Sequence, residues 1–213
     1  QTCALPISYY QTASGCTDII LHTMERYFIK KDMMDITDGF AESLMRTVMK
    51  HSRILMKEPD NYESRAEVMW AGSLSHNDIT GSRGFGDWAC HQLEHELSGM
   101  FQVAHGAGLA AIWGSWARYV YKEQPSRFAQ YARNVMGISE EDDTACALAG
   151  IEATEQFFKE IGMPTSIHEM GIDLQEADIR KLAWKCSFED ERTIGCFRVL
   201  NRQDMETIYR IAK

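Results

Sequence analysis

The sequence predicts an all-α protein, and three observations support that prediction. From Ser14 onward, apolar residues recur three and four positions apart in almost every segment. Runs that alternate apolar and polar residues, which are typical of half-buried strands, are few. Proline, glycine and polar capping residues divide the chain into segments of helical length. We therefore expect one helical domain over residues 10–213, without an internal repeat or a flexible linker.

The first three predicted helices occupy the N-terminal part of the chain. The first two each carry an apolar stripe on one face. These stripes are Ile20, Met24, Tyr27 and Phe28 in the first helix, and Phe40, Leu44, Val48, Leu55 and Met56 in the second. Pro59 is expected to end the second helix, because proline disrupts the helical hydrogen-bond pattern. Asp60 and Glu63 have the spacing of a capping box, which predicts a third helix that runs towards Gly81.

Five further helices are predicted after the glycine-rich stretch 81–86. That stretch is not a dinucleotide-binding loop, because no strand precedes it. The fourth helix covers about residues 87–100, and the fifth begins near His105. Ser139 is expected to cap a sixth helix with acidic residues 140–143 in its first turn, where the helix dipole favours negative charge. Gly162 and Pro164 end that helix, and shorter helices near 173–185 and 202–212 complete the chain.

The composition is that of an acidic globular protein. The chain has 22 Lys and Arg against 31 Asp and Glu, a formal net charge of −9. Such a chain is a poor electrostatic match for a nucleic-acid backbone, so we expect no nucleic-acid partner. Apolar runs are interrupted well before the ~20 residues that a membrane-spanning helix requires, and no signal-peptide pattern opens the chain. We therefore expect a cytoplasmic protein with no membrane partner.

The first nine residues differ from the rest of the chain. The opening heptapeptide QTCALPI has no amphipathic period and resembles the translated end of a common sequencing adapter. We expect residues 1–9 to be a non-native or unstructured leader, and the chain to be an N-terminally truncated fragment. The six cysteines are scattered, without the CxxC spacing of a structural zinc site, which predicts reduced and mostly buried thiols.

Carboxylate and imidazole side chains recur at a spacing of one helical turn. Asp18 and His22 are four residues apart in the first predicted helix, His91 and His95 are four apart in the fourth, and His105 opens the fifth. Residues four apart project from the same face of a helix, so the Asp18–His22 pair can form a two-ligand metal site. A carboxylate with neutral imidazoles suits Fe(II), Zn(II), Mn(II) or Co(II) better than Ca(II) or metals that prefer thiolate.

Each pair also has a simpler interpretation as a surface ion pair or an ordinary helix residue, and the spacing alone leaves this alternative open. Helical di-iron sites are excluded, because no histidine has a glutamate three residues before it. A His-Glu-x-x-His zinc protease is excluded as well, because His95-Glu96 is followed by Leu97-Ser98-Gly99 and the second histidine of the motif is missing. We interpret His51, His76 and His168, which lack paired spacing, as structural or surface residues.

Three segments resemble one known family. They are SGCTDIILHTMERYF (14–28), MWAGSLSHN (69–77) and DWACHQLEHELSGMFQVAHGAGLA (87–110), and they are similar to the iron-containing alcohol dehydrogenases, in particular the butanol dehydrogenase-like branch. The resemblance extends from about Tyr10 almost to the C-terminus. In that family an Asp-x-x-x-His pair, a distant His and another His fourteen residues later hold the metal. The resemblance implies that these ligands are Asp18, His22, His91 and His105.

The resemblance also implies a fold and an activity. The fold would be the helical domain of the dehydroquinate synthase-like architecture, without the N-terminal α/β domain that binds most of NAD or NADP. The activity would be NAD(P)H-dependent reduction of a small aldehyde, or oxidation of an alcohol, with Fe2+ or alternatively Zn2+ as the Lewis acid. His95 would lie at the nicotinamide and relay a proton, or else support the ligands or pack against the cofactor. The full-length protein would be a homodimer.

Two alternatives to this activity remain open. The chain as given could be a helical metal-binding module that has no turnover of its own. It could also be related to the zinc-dependent glycerol dehydrogenases, which use a similar scaffold, so the fold alone does not specify the reaction.

Overall fold

The structure is a computed structural model that describes residues 7–30, 34–81 and 85–213. Within these ranges the chain forms nine α-helices, two short 3-10 helices and no strand longer than the isolated antiparallel bridge between Ile194 and Leu200. The predicted all-α fold is therefore confirmed. Among the described residues, no helix combines the length and the apolar content that a membrane crossing requires.

The α-helices are numbered in chain order. Their bounds are α1 Tyr9–Tyr27, α2 Asp35–Leu55, α3 Tyr62–Ser75, α4 Ala89–Phe101, α5 His105–Val120, α6 Pro125–Asn134, α7 Asp143–Glu160, α8 Glu176–Cys186 and α9 Arg202–Ala212. The two 3-10 helices are Tyr121–Glu123 and His168–Met170.

Helix α5 lies at the centre of the fold. Its residues 106–117 are all buried, and it packs against α1, α4, α7 and α9. A helix that is apolar around its whole circumference must be enclosed by other elements, which explains this position. Helices α1 and α5 approach most closely at Gly106, where an added Cβ would lie 2.0 Å from the carbonyl oxygen of Ser14. This close contact holds the start of α5 against the middle of α1.

Two helix starts differ from the sequence prediction, and the first helix begins within the expected leader. Helix α1 begins at Tyr9, because the Ser8 hydroxyl accepts a hydrogen bond from the backbone N–H of Gln11 at 3.2 Å. The helix thus includes the last position of the expected leader, while residues 1–6 lie outside the described part of the chain. Helix α3 is capped by Asn61, whose Oδ1 accepts from Ser64 N at 3.0 Å, so the expected capping box at residues 60 and 63 is wrong.

The acidic helix α7 starts later than expected. Its cap is Asp142, which accepts a hydrogen bond from the backbone N–H of Ala145 at 2.8 Å, and the prediction that Ser139 is the cap is wrong. Glu140 and Glu141 precede the helix, and their backbone carbonyls accept hydrogen bonds from the Arg133 guanidinium. Several consecutive residues can cap a helix, so tertiary contacts such as this one select among them.

Helix α6 was not predicted. Pro125 occupies its first turn, where the missing N–H costs nothing, instead of simply interrupting the chain. The helix packs closely on α7, since a Cβ added at Gly150 would lie 2.5 Å from the Cβ of Ala132. The helix has only 10 residues, which leaves a short apolar pattern that is easily missed.

A buried polar network joins α1, α2 and α6. The Arg127 guanidinium pairs with both carboxylate oxygens of Asp38 and donates to the carbonyl oxygen of Tyr27 at 2.6 and 3.0 Å. The hydroxyl of Tyr27 donates to Glu42 at 2.8 Å. Arg127 is only 5% exposed and Asp38 only 6%. Because Arg127 donates two hydrogen bonds to the carbonyl oxygen of Tyr27, this network links the C-terminal end of α1 to α2 and α6.

Candidate metal centre

The side chains of Asp18, His22, His91 and His105 come together at one point in the fold. Asp18 and His22 lie one turn apart on α1, His91 lies in the first turn of α4, and His105 is the first residue of α5. The Oδ1 atom of Asp18 is 3.6 Å from Nε2 of His22, 3.7 Å from Nε2 of His91 and 3.4 Å from Nε2 of His105. One carboxylate oxygen therefore faces three imidazole nitrogens from three different helices.

Local backbone structure directs His91 and His105 to this point. Helix α4 is preceded by Trp88 and followed by Gln102, and both residues adopt left-handed backbone conformations, with φ of 59° and 55°. The turn at Gln102 reverses the chain, so that α5 starts at His105 only a few residues after α4 has ended. The absence of a side chain at Gly106 then allows α5 to approach α1.

The distances from Asp18 Oδ1 to the three imidazole nitrogens, 3.4 to 3.7 Å, match a metal-ligand shell, and the donor atoms of Asp18, His22 and His91 all lie within 4.8 Å of one another, a group that does not include His105. With metal–ligand bonds of ~2.1 Å, neighbouring donors in a tetrahedral shell are ~3.4 Å apart, whereas neighbours in an octahedral shell are ~3.0 Å apart. Asp18 Oδ1 and His91 Nε2 are also buried without a hydrogen-bond partner among the described residues. Buried polar atoms without partners are costly, and a cation between these atoms would satisfy both of them. The residues present therefore fit a divalent metal ion.

Two buried glutamates contact the far side of two imidazoles. Oε1 of Glu25 is 3.0 Å from Nδ1 of His91 and also accepts a hydrogen bond from the backbone N–H of His91 at 3.0 Å. Oε2 of Glu94 contacts Nδ1 of His105. Neither glutamate was predicted from the sequence, although the spacing carried a signal. Glu25 follows Asp18 by seven residues and Glu94 follows His91 by three, so each glutamate shares a helix face with a candidate ligand.

The titration of the cluster reflects this concentration of carboxylates. Burial alone would lower the pKa of His91, but the hydrogen bonds and negative charges of Asp18 and Glu25 outweigh burial and raise that pKa to about 9. Burial, with the neighbouring His91, lowers the pKa of His22 to about 3. Burial alone would raise the pKa of Asp18, but the three imidazoles hold it below its ordinary value. The cluster therefore favours a bound positive charge.

Aromatic rings surround His22. The ring of His76 lies 3.9 Å from that of His22 between centroids, and the ring of Trp88 contacts His22 edge-on at 5.6 Å. The guanidinium of Arg26 lies 4.7 Å from the centroid of Trp88. His76 is exposed and its Nδ1 lies 2.8 Å from the carbonyl oxygen of Gly72. His76, interpreted from the sequence as a structural or surface residue, lies at the surface, but its contact with His22 was not foreseen.

His95 lies beside the centre rather than within it. Its ring is exposed and nearly parallel to that of His105, with 5.5 Å between centroids and an interplanar angle of 24°. Its centroid is 6.3 Å from that of His91. Partial burial of the ring, followed by the effect of His105, lowers the pKa of His95. At neutral pH this imidazole is therefore mainly uncharged and can accept a proton.

Comparison with known proteins identifies the family. The sequence profile of the Fe-containing alcohol dehydrogenase family, C-terminal, matches residues 12–213, and the chain belongs to this family. NADH-dependent butanol dehydrogenase A of Clostridium acetobutylicum is 35% identical over 202 residues, which cover 94% of this chain and 51% of that protein. NADPH-dependent aldehyde reductase YqhD of Escherichia coli is 36% identical over 163 residues, which cover 76% of this chain and 42% of that protein.

Solved structures agree with this assignment. The NADH-dependent butanol dehydrogenase A of Thermotoga maritima superposes with a TM-score of 0.89 at 35% identity, over 97% of this chain and 53% of that one. The substrate- and cofactor-free aldehyde reductase YqhD of E. coli superposes with a TM-score of 0.91 at 31% identity, over 97% of this chain and 54% of that one. The chain thus spans about half the length of the relatives it matches.

Proposed function

We propose that this protein is a metal-dependent oxidoreductase that interconverts small alcohols and aldehydes with NAD(P)H, and that Asp18, His22, His91 and His105 hold its metal ion. The observation that carries the proposal is the contact of one carboxylate oxygen with three imidazole Nε2 atoms, at 3.4 to 3.7 Å. Membership of an alcohol dehydrogenase family supports the reaction class. We expect Fe2+ as the native metal, with Zn2+ as the alternative that the same donors accommodate.

Each group has a distinct part in this proposal. When bound, the cation supplies Lewis acidity that polarises a carbonyl oxygen, and the nicotinamide supplies hydride to the carbonyl carbon. Asp18 provides the anionic donor, and the imidazoles provide neutral nitrogen donors. Trp88 and His76 pack against the imidazole ring of His22.

His95 is our candidate for proton transfer and for contact with the nicotinamide. It stacks beside His105 and is exposed, so it can hold a proton next to the centre and exchange it with solvent. In the reducing direction it would deliver the proton that completes the alcohol. In the oxidising direction its lowered pKa suits it to accept that proton.

The remaining assignments concern the whole protein. Relatives named as NADH-dependent and as NADPH-dependent are both similar to this chain, so either nicotinamide is proposed. The family resemblance supports an N-terminal α/β domain as the main cofactor-binding element, a homodimer as the assembly and the cytoplasm as the location. Small alcohols or aldehydes are the proposed substrates, with butanal as the first to be tried, because butanol dehydrogenases are among the relatives.

The test of the metal assignment is metal analysis after anaerobic purification. Wild-type protein should retain about one divalent metal ion per chain. Asp18→Asn removes the anionic donor and His91→Ala removes a nitrogen donor, so each should lose most of the bound metal. His51→Ala is the matched control, because His51 contacts Ser64 instead, with 3.0 Å between Nδ1 and Oγ. Equal metal loss in all three variants, or in none, contradicts the assignment.

The test of the reaction is oxidation of NADH and of NADPH with butanal. We expect turnover by the full-length protein and only metal binding by residues 1–213 alone. If the full-length protein binds the metal but reduces no aldehyde with NADH or NADPH, the result favours the alternative, a metal-binding module without turnover. Turnover by residues 1–213 alone would overturn the proposed dependence on a separate nucleotide-binding domain.

A further inference from the structure

We propose that Glu25 and Glu94 are positioning residues that orient His91 and His105, so that the Nε2 atom of each imidazole faces the metal centre. Each glutamate contacts the Nδ1 atom of its histidine, on the side of the ring opposite Asp18. The inference rests on the proposed function, because it assigns a role around the same metal. It extends that proposal to two buried side chains outside the four proposed ligands.

Glu25 joins α1 to the start of α4. One oxygen, Oε1, receives both the backbone N–H of His91 and its ring Nδ1, each at 3.0 Å. The backbone of His91 and its ring are thus held by the same atom, which restricts the rotation of the side chain. The first turn of α4 also gains a negatively charged partner from another helix, while Trp88 provides no side-chain cap. Glu25 is only 2% exposed, so water does not compete for this oxygen.

Glu94 holds His105 in a similar way. Its Oε2 contacts Nδ1 of His105, and its Oε1 accepts a hydrogen bond from the hydroxyl of Ser98 one turn later on α4. The carboxylate lies against α5 at Gly108, where an added Cβ would be 2.5 Å from Oε1. Glu94 is fully buried, with 0% of its side chain exposed. The missing side chain at Gly108 is therefore what makes room for this carboxylate.

The shared arrangement selects one tautomer. A neutral imidazole has one N–H and one lone pair, so a carboxylate at Nδ1 places the hydrogen there and leaves the lone pair at Nε2. Metal-binding histidines are generally supported in this manner, and the supporting carboxylate raises the basicity of the ligand. His22 provides a contrast, because its Nδ1 is buried without a hydrogen-bond partner in the described part of the chain. Loss of a glutamate should therefore affect His91 or His105 and leave His22 in place.

The two glutamates also raise the negative charge at the centre. Together with Asp18 they place three carboxylates around it, and Arg26 on the same helix as Asp18 already pairs with Asp78 at 3.0 Å. Buried charges that lack a counterion are strongly unfavourable. A divalent cation would offset this excess better than a monovalent one.

The experiment measures Co2+ binding by full-length, metal-free protein. Co2+ is added alone, its affinity is measured against a competing chelator, and its visible absorption reports the ligand geometry. Glu25→Ala and Glu94→Ala should each bind Co2+ about 10 to 100 times more weakly, with a changed spectrum. Glu25→Gln and Glu94→Gln keep an acceptor oxygen but lose the charge, so they should fall between the wild type and the alanine variants.

Two further variants separate positioning from general stability. Gly108→Ala leaves every carboxylate in the sequence but pushes Glu94 away from His105, so it should weaken Co2+ binding as Glu94→Ala does. Glu42→Gln is the control, because Glu42 is a buried glutamate that accepts from Tyr27 in the polar network at the end of α1. It should keep wild-type affinity and spectrum. Circular dichroism of the metal-free variants checks that each is folded. If an alanine variant is unfolded, the corresponding glutamine variant is used for the test instead.

The outcomes distinguish this inference from the proposed function. The positioning role is overturned if the wild type binds Co2+ and the folded alanine and glutamine variants bind it with unchanged affinity and spectrum. The proposed metal centre would then remain. Equal weakening in Glu42→Gln would also overturn the positioning role, since the effect would then be general. Wild-type protein that fails to bind Co2+ would overturn the proposed metal centre itself.

Discussion

Replacing Gly106 with alanine tests whether the α1–α5 contact sets the geometry of the metal centre. Gly106 follows the proposed ligand His105, and its missing side chain lets α5 lie against the backbone of Ser14. Ser14 is in turn one turn before Asp18 on α1. The substitution therefore adds a single carbon between the two helices that carry Asp18, His22 and His105.

The size of the effect follows from the distances. The added Cβ would lie 2.0 Å from the carbonyl oxygen of Ser14. Carbon and oxygen require ~3 Å or more, so the helices must separate by about 1 Å, and a backbone oxygen cannot rotate out of the way as a side chain can. Metal–ligand distances tolerate only ~0.2 Å. We expect a loss of ~1–3 kcal/mol in the free energy of unfolding and at least ~10-fold weaker metal binding.

The assay is chemical unfolding of the metal-free protein, combined with metal titration of the folded protein. Gly99→Ala is the matched control, because Gly99 is also helical but an added Cβ there meets nothing within 4 Å. It should leave metal affinity unchanged and stabilise α4 by ~0.5–1 kcal/mol, since alanine loses less backbone freedom than glycine. If Gly106→Ala matches the wild type in both stability and metal affinity, the close contact does not constrain the centre and the reasoning fails.

Two other predictions address stability and reactivity. Arg127→Leu should lower the free energy of unfolding by ~3–5 kcal/mol, because it leaves a buried carboxylate without its partner. Lys159→Leu removes an exposed ion pair with Glu169 and should cost less than ~1 kcal/mol when both variants are unfolded with urea; similar losses would contradict the account. At pH 8 a thiol reagent should modify exposed Cys196 much faster than Cys16, because burial raises the pKa of Cys16 to about 12. Peptide mass spectrometry measures the order of modification, and the opposite order would contradict the prediction.

Local patterns along the chain are sufficient to predict the class of fold, but not every helix boundary. Apolar periodicity identifies α1 and α2 because one face of each helix is buried against its neighbours. Near the start of α3, Asp60 and Asn61 are both good capping residues, and the choice of Asn61 depends on where the backbone first turns helical. At Pro125, a residue that commonly interrupts helices is instead the beginning of α6.

The candidate site divides in the same way. The four proposed ligands follow from sequence spacing and family resemblance, since a pair one turn apart on a helix is a local feature. The role of Glu25 does not follow, because its partner His91 is 66 residues away and only packing brings α1 against α4. Glu94 lies near His105 in sequence, yet their contact requires the left-handed turn at Gln102, a conformation that its sequence neighbours do not predict.

Hydrogen bonds and apolar stripes within a helix span three or four residues, and they are therefore readable in the order of amino acids. The distance of 3.4 Å between Asp18 Oδ1 and His105 Nε2 is of another kind. It depends on how closely α1 and α5 can pack at Gly106, and so on the shapes of residues far apart in the chain. The sequence therefore identifies the donors of the proposed metal centre, while long-range packing determines the distances between them.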